Sequence, residues 1–236
     1  MGHKTTTIQA VVKSFIMQLL LFAIVGLAYA TQQVKNATEG PTPPWANETK
    51  YGLYQDAWKS LNQSNTTLYW LVKATFNNDN ASWGENFRCL SVQETNHSQA
   101  TNSVVSVFKF QNDTSEGSAL YTVEEKVQAI FQYNYTKTRN AIQYTLEDNR
   151  TLIDTLIFSD EICDIFSVPY MNNGSGCELW VRDEYVDKVP SCCLFIYDFF
   201  CTNVTSYELY QNKNCTKENR TSLASNKEGI PRLTGD

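Results

Sequence analysis

Through the middle of the chain, hydrophobic and polar residues alternate with a period of two. Leu68 to Phe76 sets Trp70, Val72, Ala74 and Phe76 against Tyr69, Leu71, Lys73 and Thr75, which predicts a strand. Phe87–Gln93, Ser103–Gln111, Ala119–Gln132, Thr138–Glu147, Thr151–Phe158, Cys163–Val168 and Cys177–Val181 read the same way. Turn residues such as Asn77-Asn78-Asp79, Glu147-Asp148-Asn149 and Asn172-Asn173-Gly174 join them. Eight successive strands with short turns predict a mainly β fold, an eight-stranded antiparallel up-and-down barrel. Such a barrel closes its own edges and can hold one small ligand. The period changes twice. Tyr51 to Leu61 places Leu53 or Tyr54, Ala57, Trp58 and Leu61 at helical spacing, predicting a short amphipathic helix with Trp58 in the core. Ser191 to Phe200 returns as a short helix or extended segment packed outside the barrel.

The two ends lack this patterning. Residues 1–30 carry Lys4 and Lys13, an apolar run from Phe15 to Ala28, and the small-x-small site Ala28-Tyr29-Ala30, the layout of a signal peptide. That run falls short of the roughly 20 residues a membrane span needs. Residues 31–50, with Gly40, Pro41, Pro43 and Pro44, read as an irregular arm. Residues 51–215 form the barrel domain, and the polar stretch 216–236 reads as a disordered tail.

Composition narrows the setting. Thirteen Asn-x-Ser/Thr sequons stand at Asn36, Asn47, Asn62, Asn65, Asn80, Asn96, Asn112, Asn134, Asn149, Asn173, Asn203, Asn214 and Asn219. They imply a secreted, glycosylated, extracellular protein. Seven cysteines in such a chain read as disulfides rather than a metal site. His97 is the one histidine beyond the signal segment, which weakens zinc binding and histidine-based nucleophilic catalysis together. No nucleophile is presented with a base, so neither an enzyme nor a cofactor is expected. The net charge of −6, without a Lys/Arg cluster, speaks against nucleic acid as a partner. No membrane partner is expected either.

The chemistry lies in carboxylates that share a strand face with apolar neighbours. Glu125 is in phase with Tyr121, Val123, Val127, Ala129 and Phe131. Asp154 is in phase with Leu152, Leu156 and Phe158, and Asp164 with Phe166 and Val168. Glu178 shares its face with Trp180, while Cys177, Leu179 and Val181 take the other and can pack beneath a helix. Ile142, Tyr144 and Leu146 line up on the fifth strand. A bulge can turn such an acid outward, or Lys73, Lys126 or Arg182 can neutralise it. Yet no Lys or Arg falls in phase with these rows. An aromatic-lined cavity with several acids and no base suits a small cation such as a protonated amine.

Residues spread in order along the domain carry a family resemblance. They include Gln55-Asp56-Ala57-Trp58-Lys59-Ser60-Leu61, Val72-Lys73-Ala74-Thr75-Phe76, Asn78-Asp79, Trp83-Gly84, Phe87 and Cys89. Glu125-Lys126-Val127, Ser159-Asp160, Cys163-Asp164, Glu178-Leu179-Trp180 and Pro190 to Leu194 continue the series. Over about Tyr51 to Cys215 the chain resembles the tick salivary lipocalins, and among them the histamine-binding proteins. The resemblance implies two amine sites. In one, Asp79 and Glu125 match the ammonium-holding acids and Trp83 a stacking aromatic, with Leu152 in place of a second aromatic. In the other, Tyr144, Asp164, Glu178 and Trp180 match, with Asp154 as a nearby acid. There Ser64 replaces an acid, Phe76 a tyrosine and Ile142 an aromatic. It implies the disulfides Cys89–Cys215 and Cys163–Cys193, with Cys177–Cys201 as a third. Cys192 is left over, to compete with Cys193 for Cys163 or to link two chains of an otherwise monomeric protein. The implied function is capture of histamine or serotonin, blunting host inflammation at the bite. The alternatives are a lipid-mediator or sterol carrier, and a decoy glycoprotein that binds a host protein.

Overall fold

The computed structural model describes residues 42–112, 120–146, 149–201, 204–210 and 215. The signal segment 1–30, most of the arm, the tail 216–236, and the sequons at Asn36, Asn203, Asn214 and Asn219 lie outside them. The chain divides into two compact units, Met1–Pro44 and Trp45–Asp236. Of the first, the described residues 42–44 contain no helix or strand.

In the second unit, eight strands follow one another: β1 (Leu68–Ala74), β2 (Arg88–Ser98), β3 (Ser103–Gln111) and β4 (Tyr121–Ile130). β5 (Ala141–Thr145), β6 (Thr151–Ser159), β7 (Cys163–Val168) and β8 (Gly176–Arg182) complete them. Each pairs antiparallel with the next, and β1 pairs with both β8 and β2, so the sheet closes into a barrel. A ninth strand, β9 (Tyr207–Glu208), lies along the outside of β1. Successive β-branched and aromatic residues on alternating faces build these strands, and closure removes the free edges that such strands would otherwise expose.

Alternation sends side chains into two separate clusters. The inner one fills the barrel with Leu71, Phe76, Trp83, Phe87, Phe108, Val127, Ile142, Phe166 and Trp180 among others. The outer one gathers Trp70, Ile165, Leu179 and Val181 beneath the helix α3 (Ser191–Phe200), which contributes Cys193 and Tyr197. The Ser191–Phe200 segment is therefore a helix, and Leu179 and Val181 do pack beneath it. Three disulfides reinforce this outer layer: Cys89–Cys215, Cys163–Cys193 and Cys177–Cys201. All three pairings agree with the family resemblance. Cys192 is a free, exposed thiol.

Four expectations from the sequence are corrected. The helix over Tyr51–Leu61 is broken into pieces: α1 (Glu48–Tyr51), a 3₁₀ turn over Gly52–Tyr54, and α2 (Ala57–Leu61). Asp56 restarts the helix as its N-cap, accepting from the Lys59 amide at 3.1 Å. Leu53 and Tyr54 consequently point to solvent rather than to the core. Second, the inward row of β4 stops at Ala129, because the strand ends at Ile130 and Phe131 turns outward beneath the Arg139 guanidinium. Third, a register shift between Leu156 and Phe158 moves Phe158 to the outer cluster. A similar shift between Leu71 and Lys73 lets Trp70 and Val72 face out while Ala74 and Phe76 face in.

Gln55, at the break in the helix, is fully buried. Its amide nitrogen donates to the carbonyls of Trp45 and Ile157 at 3.0 and 2.9 Å, and its oxygen accepts from the Tyr135 hydroxyl at 2.5 Å. One side chain thus joins the N-terminal approach, β6 and the β4–β5 connection. Removing it strands buried polar groups that each cost about 1–3 kcal/mol when unmet. Gln55→Ala is expected to lower stability by roughly 2–4 kcal/mol in denaturant melts under non-reducing conditions.

Candidate ligand cavities within the barrel

Odd-numbered strands run toward one end of the barrel, so the β1–β2, β5–β6 and β7–β8 connections meet there. The other end receives α2. Two cavities lie between these ends.

The cavity toward the α2 end is lined by Ser60, Leu61, Tyr69, Glu94, Ser106, Phe108, Asp164 and Phe166, with further apolar residues. Asp164 accepts from the Ser60 hydroxyl at 2.7 Å, and its Oδ1 is buried without a hydrogen-bond partner. Glu94 accepts from Ser106 at 2.7 Å. Desolvation raises both acids, Asp164 to about 6 and Glu94 to about 7, against the opposing effect of their hydroxyl donors.

The cavity toward the loop end is lined by Asp79, Ser82, Trp83, Glu125, Tyr144, Leu152, Asp154, Tyr170, Glu178 and Trp180. Asp79 and Trp83 stand on the β1–β2 loop, within which Asp79 and Gly84 form an antiparallel bridge. Asp79 also organises that loop, its Oδ1 accepting from the amides of Ala81 and Ser82 at 2.8 and 3.3 Å. Gly84 has φ +78°, and a Cβ there would lie 2.8 Å from the Asn112 amide nitrogen. That nitrogen donates to the Trp83 carbonyl at 2.8 Å. Asn112 is therefore buried and engaged, in contrast to the exposed sequon residues Asn47, Asn62, Asn65, Asn80, Asn96, Asn134, Asn149 and Asn173. Its inclusion among the glycan sites is corrected on this ground, since an N-glycan would displace that bond.

Four carboxylates converge here. Burial raises Glu125 to about 7, with Asp79 adding repulsion. Burial also raises Glu178 to about 7 despite the Trp180 indole N–H that donates to it at 2.8 Å, and Asp79 adds to the rise. Asp154 is pushed well up by desolvation and by Glu178, against the opposing effect of the neighbouring Tyr170 and Tyr144 hydroxyls. Its Oδ1 is buried and has no partner. Asp79 is raised by burial as well.

Among the described residues, no lysine or arginine lines either cavity. Lys73 is engaged on the outside with Asp198 and Glu208, and Arg182 with Glu184. Lys126 is exposed on β4. The three cations able to neutralise the inward acids thus do not do so.

Most of the residues singled out in the sequence do come together, but in different sets. Glu178 and Asp154 join Asp79, Glu125, Trp83 and Leu152 in the loop-end cavity, whereas Asp164 lies in the other, and Tyr144 and Trp180 border both. Phe76 lines neither cavity and packs against Phe87 in the inner core. Ser64 is exposed and bonded to Thr66, so it is not the vacancy of a cavity acid. Glu94 and Tyr170 were missed. Glu94 continues the inward phase of Val92 on β2, one residue beyond the expected strand end, and Tyr170 sits in a turn without periodicity.

A carboxyl raised from the ordinary value of 4.5 to about 7 favours the folded state only while protonated. The empty protein is thus expected to be most stable below about pH 4.5 and to lose stability as pH rises through about 7. Glu125→Gln should stabilise the empty protein by about 1–3 kcal/mol at pH 8 and by little at pH 4, measured by denaturant melts at both pH values.

Comparison with known proteins supplies context for this geometry. The family model described as tick histamine binding protein matches residues 45–217. The chain is 35% identical to a male-specific histamine-binding salivary protein of Rhipicephalus appendiculatus, over 83% of this chain and 96% of that one. It is 34% identical to female-specific histamine-binding protein 1 of the same tick, over 86% of this chain and 100% of that one. Among solved structures it is similar to AM182 in a serotonin complex, with TM-score 0.47 and 20% identity, over 68% of this chain and 92% of that one.

Proposed function

The chain belongs to the tick histamine-binding protein family, and from that premise we propose that its barrel captures a small biogenic amine, histamine or serotonin. Members of this family are ligand-binding proteins and not enzymes, so the action is stoichiometric, without turnover. Secretion into saliva, blunting host inflammation, is part of the same reading. It rests on the expected signal segment and on a relative whose name calls it salivary.

The observation that carries the proposal is the set of buried acids with no base beside them. An ionised carboxylate in a dry interior costs several kcal/mol unless paired. The empty barrel meets that cost by holding protons. A protonated amine meets it better, through charge-assisted hydrogen bonds to acids that already have an unfilled acceptor, as at Asp154. Trp83, Tyr144 and Trp180 offer aromatic faces to the same cation. A second reading draws on the largely apolar wall of the α2-end cavity, where Leu61, Val92, Phe108, Val127, Ile142 and Phe166 converge. That wall suits an apolar mediator, although Glu94 and Asp164 would oppose an anionic lipid.

Isothermal titration with histamine and then serotonin at neutral pH tests the proposal, with sub-micromolar binding of at least one expected. Asp79→Asn and Glu125→Gln should each weaken it by about tenfold or more, since a hydrogen bond to a charged group contributes roughly 1.5–3 kcal/mol. Unchanged affinity in both variants would remove the loop-end cavity from the account.

A further inference from the structure

Tyr170 has no role in the reading so far, although it touches the most acidic part of the molecule. It stands in the β7–β8 turn, at the loop end of the barrel. Its side chain lines the cavity of Asp79, Glu125, Asp154 and Glu178, yet the residue is 40% exposed. A residue that is both in contact with buried carboxylates and open to water lies at the mouth between them. Its phenol lies beside Asp154, close enough for each group to affect the other's ionisation. Burial and the surrounding acids push the phenol up, so it stays a neutral donor.

The turn beneath it is clamped. Asn172 donates to the Thr75 carbonyl at 2.5 Å, the Thr75 hydroxyl donates to the Ser175 carbonyl at 3.3 Å, and the Cys177 amide donates to that hydroxyl at 2.9 Å. At Gly176 a Cβ would meet the Val168 carbonyl oxygen at 2.3 Å, so the backbone closes tightly there. The Cys177–Cys201 disulfide follows directly. With the backbone so held, the Tyr170 side chain moves by rotation about its own torsions.

The cavity walls point the same way. Tyr144 and Trp180 are shared with the neighbouring cavity, which leaves Trp83 and Tyr170 as the aromatic faces proper to this one. Leu152, on β6, adds no ring. We propose that Tyr170 is the mouth residue and specificity determinant of the acidic cavity. Its ring forms the aromatic wall for a flat cationic ligand, beside the Asp154 carboxyl on the same cavity. The inference rests on the amine-capture reading and assigns to one residue of the β7–β8 turn the preference for a ring-bearing amine over an aliphatic one.

The test titrates the full secreted protein and its Tyr170→Ala and Tyr170→Phe variants with serotonin and with butylamine, and follows serotonin release by stopped flow. Tyr185→Ala, an equally exposed tyrosine in the 3₁₀ segment Asp183–Lys188 after β8, serves as control. Tyr170→Ala should lose roughly tenfold in serotonin affinity while butylamine changes less than about threefold, the loss expected of one aromatic–cation contact. Tyr170→Phe should keep the serotonin preference and the parent's release rate within about threefold, because the ring remains, whereas Tyr170→Ala should release serotonin faster. Tyr185→Ala should match the parent. A Tyr170→Ala protein that keeps the parent's serotonin-to-butylamine ratio would overturn the proposal while leaving amine capture intact. A parent that binds neither amine would overturn both.

Discussion

Carboxyl groups that have been taken out of water and given no cationic partner among the described residues dominate this barrel. Asp79, Glu125, Asp154 and Glu178 meet in one cavity, and Glu94 and Asp164 in the next. Each is raised by desolvation, and several are raised further by one another. A core built only for stability would place apolar side chains at these positions. Here the interior is held in a state that folding alone does not favour.

The rest of the architecture keeps such an interior folded. Two of the disulfides sit one residue away from inward acids: Cys163 precedes Asp164, and Cys177 precedes Glu178. Alternation sends each sulfur outward to α3 and each carboxylate inward, so the staple and the acid act on the same stretch of strand. A native bridge in a small secreted domain contributes about 2–5 kcal/mol, comparable to the cost of one raised carboxyl. Leu179, Val181, Ile165 and Tyr197 complete the outer layer. The barrel therefore has its stabilising cluster on one side of β7 and β8 and its buried acids on the other.

Much of this was legible in period-two patterning. β3 and β7 match their expected ranges residue for residue, and the inward placement of Glu125, Asp154, Asp164 and Glu178 follows from which neighbours share their phase. What escaped was where the phase breaks or where no phase exists. Register shifts in β1 and β6 turn Trp70 and Phe158 outward, and no local residue type announces them. Glu94 lay one residue past an expected strand end. Tyr170 belongs to a turn, where tertiary contacts rather than periodicity set the direction of a side chain. The grouping of acids into cavities is likewise a matter of three-dimensional register: Glu178 faces Phe166 across β7, while Asp164 faces Trp180.

The central claim is that protons occupy these acids until an amine replaces them. Calorimetric titration with serotonin at pH 7, repeated in buffers of different ionisation enthalpy, measures this exchange directly. Because Glu125 and Glu178 are raised to about 7, a bound cation should lower them and release protons. The observed enthalpy should then vary with the buffer, and the variation should fade at pH 9. Binding that is tight but insensitive to the buffer at pH 7 would show that the acids are not the groups that receive the ligand.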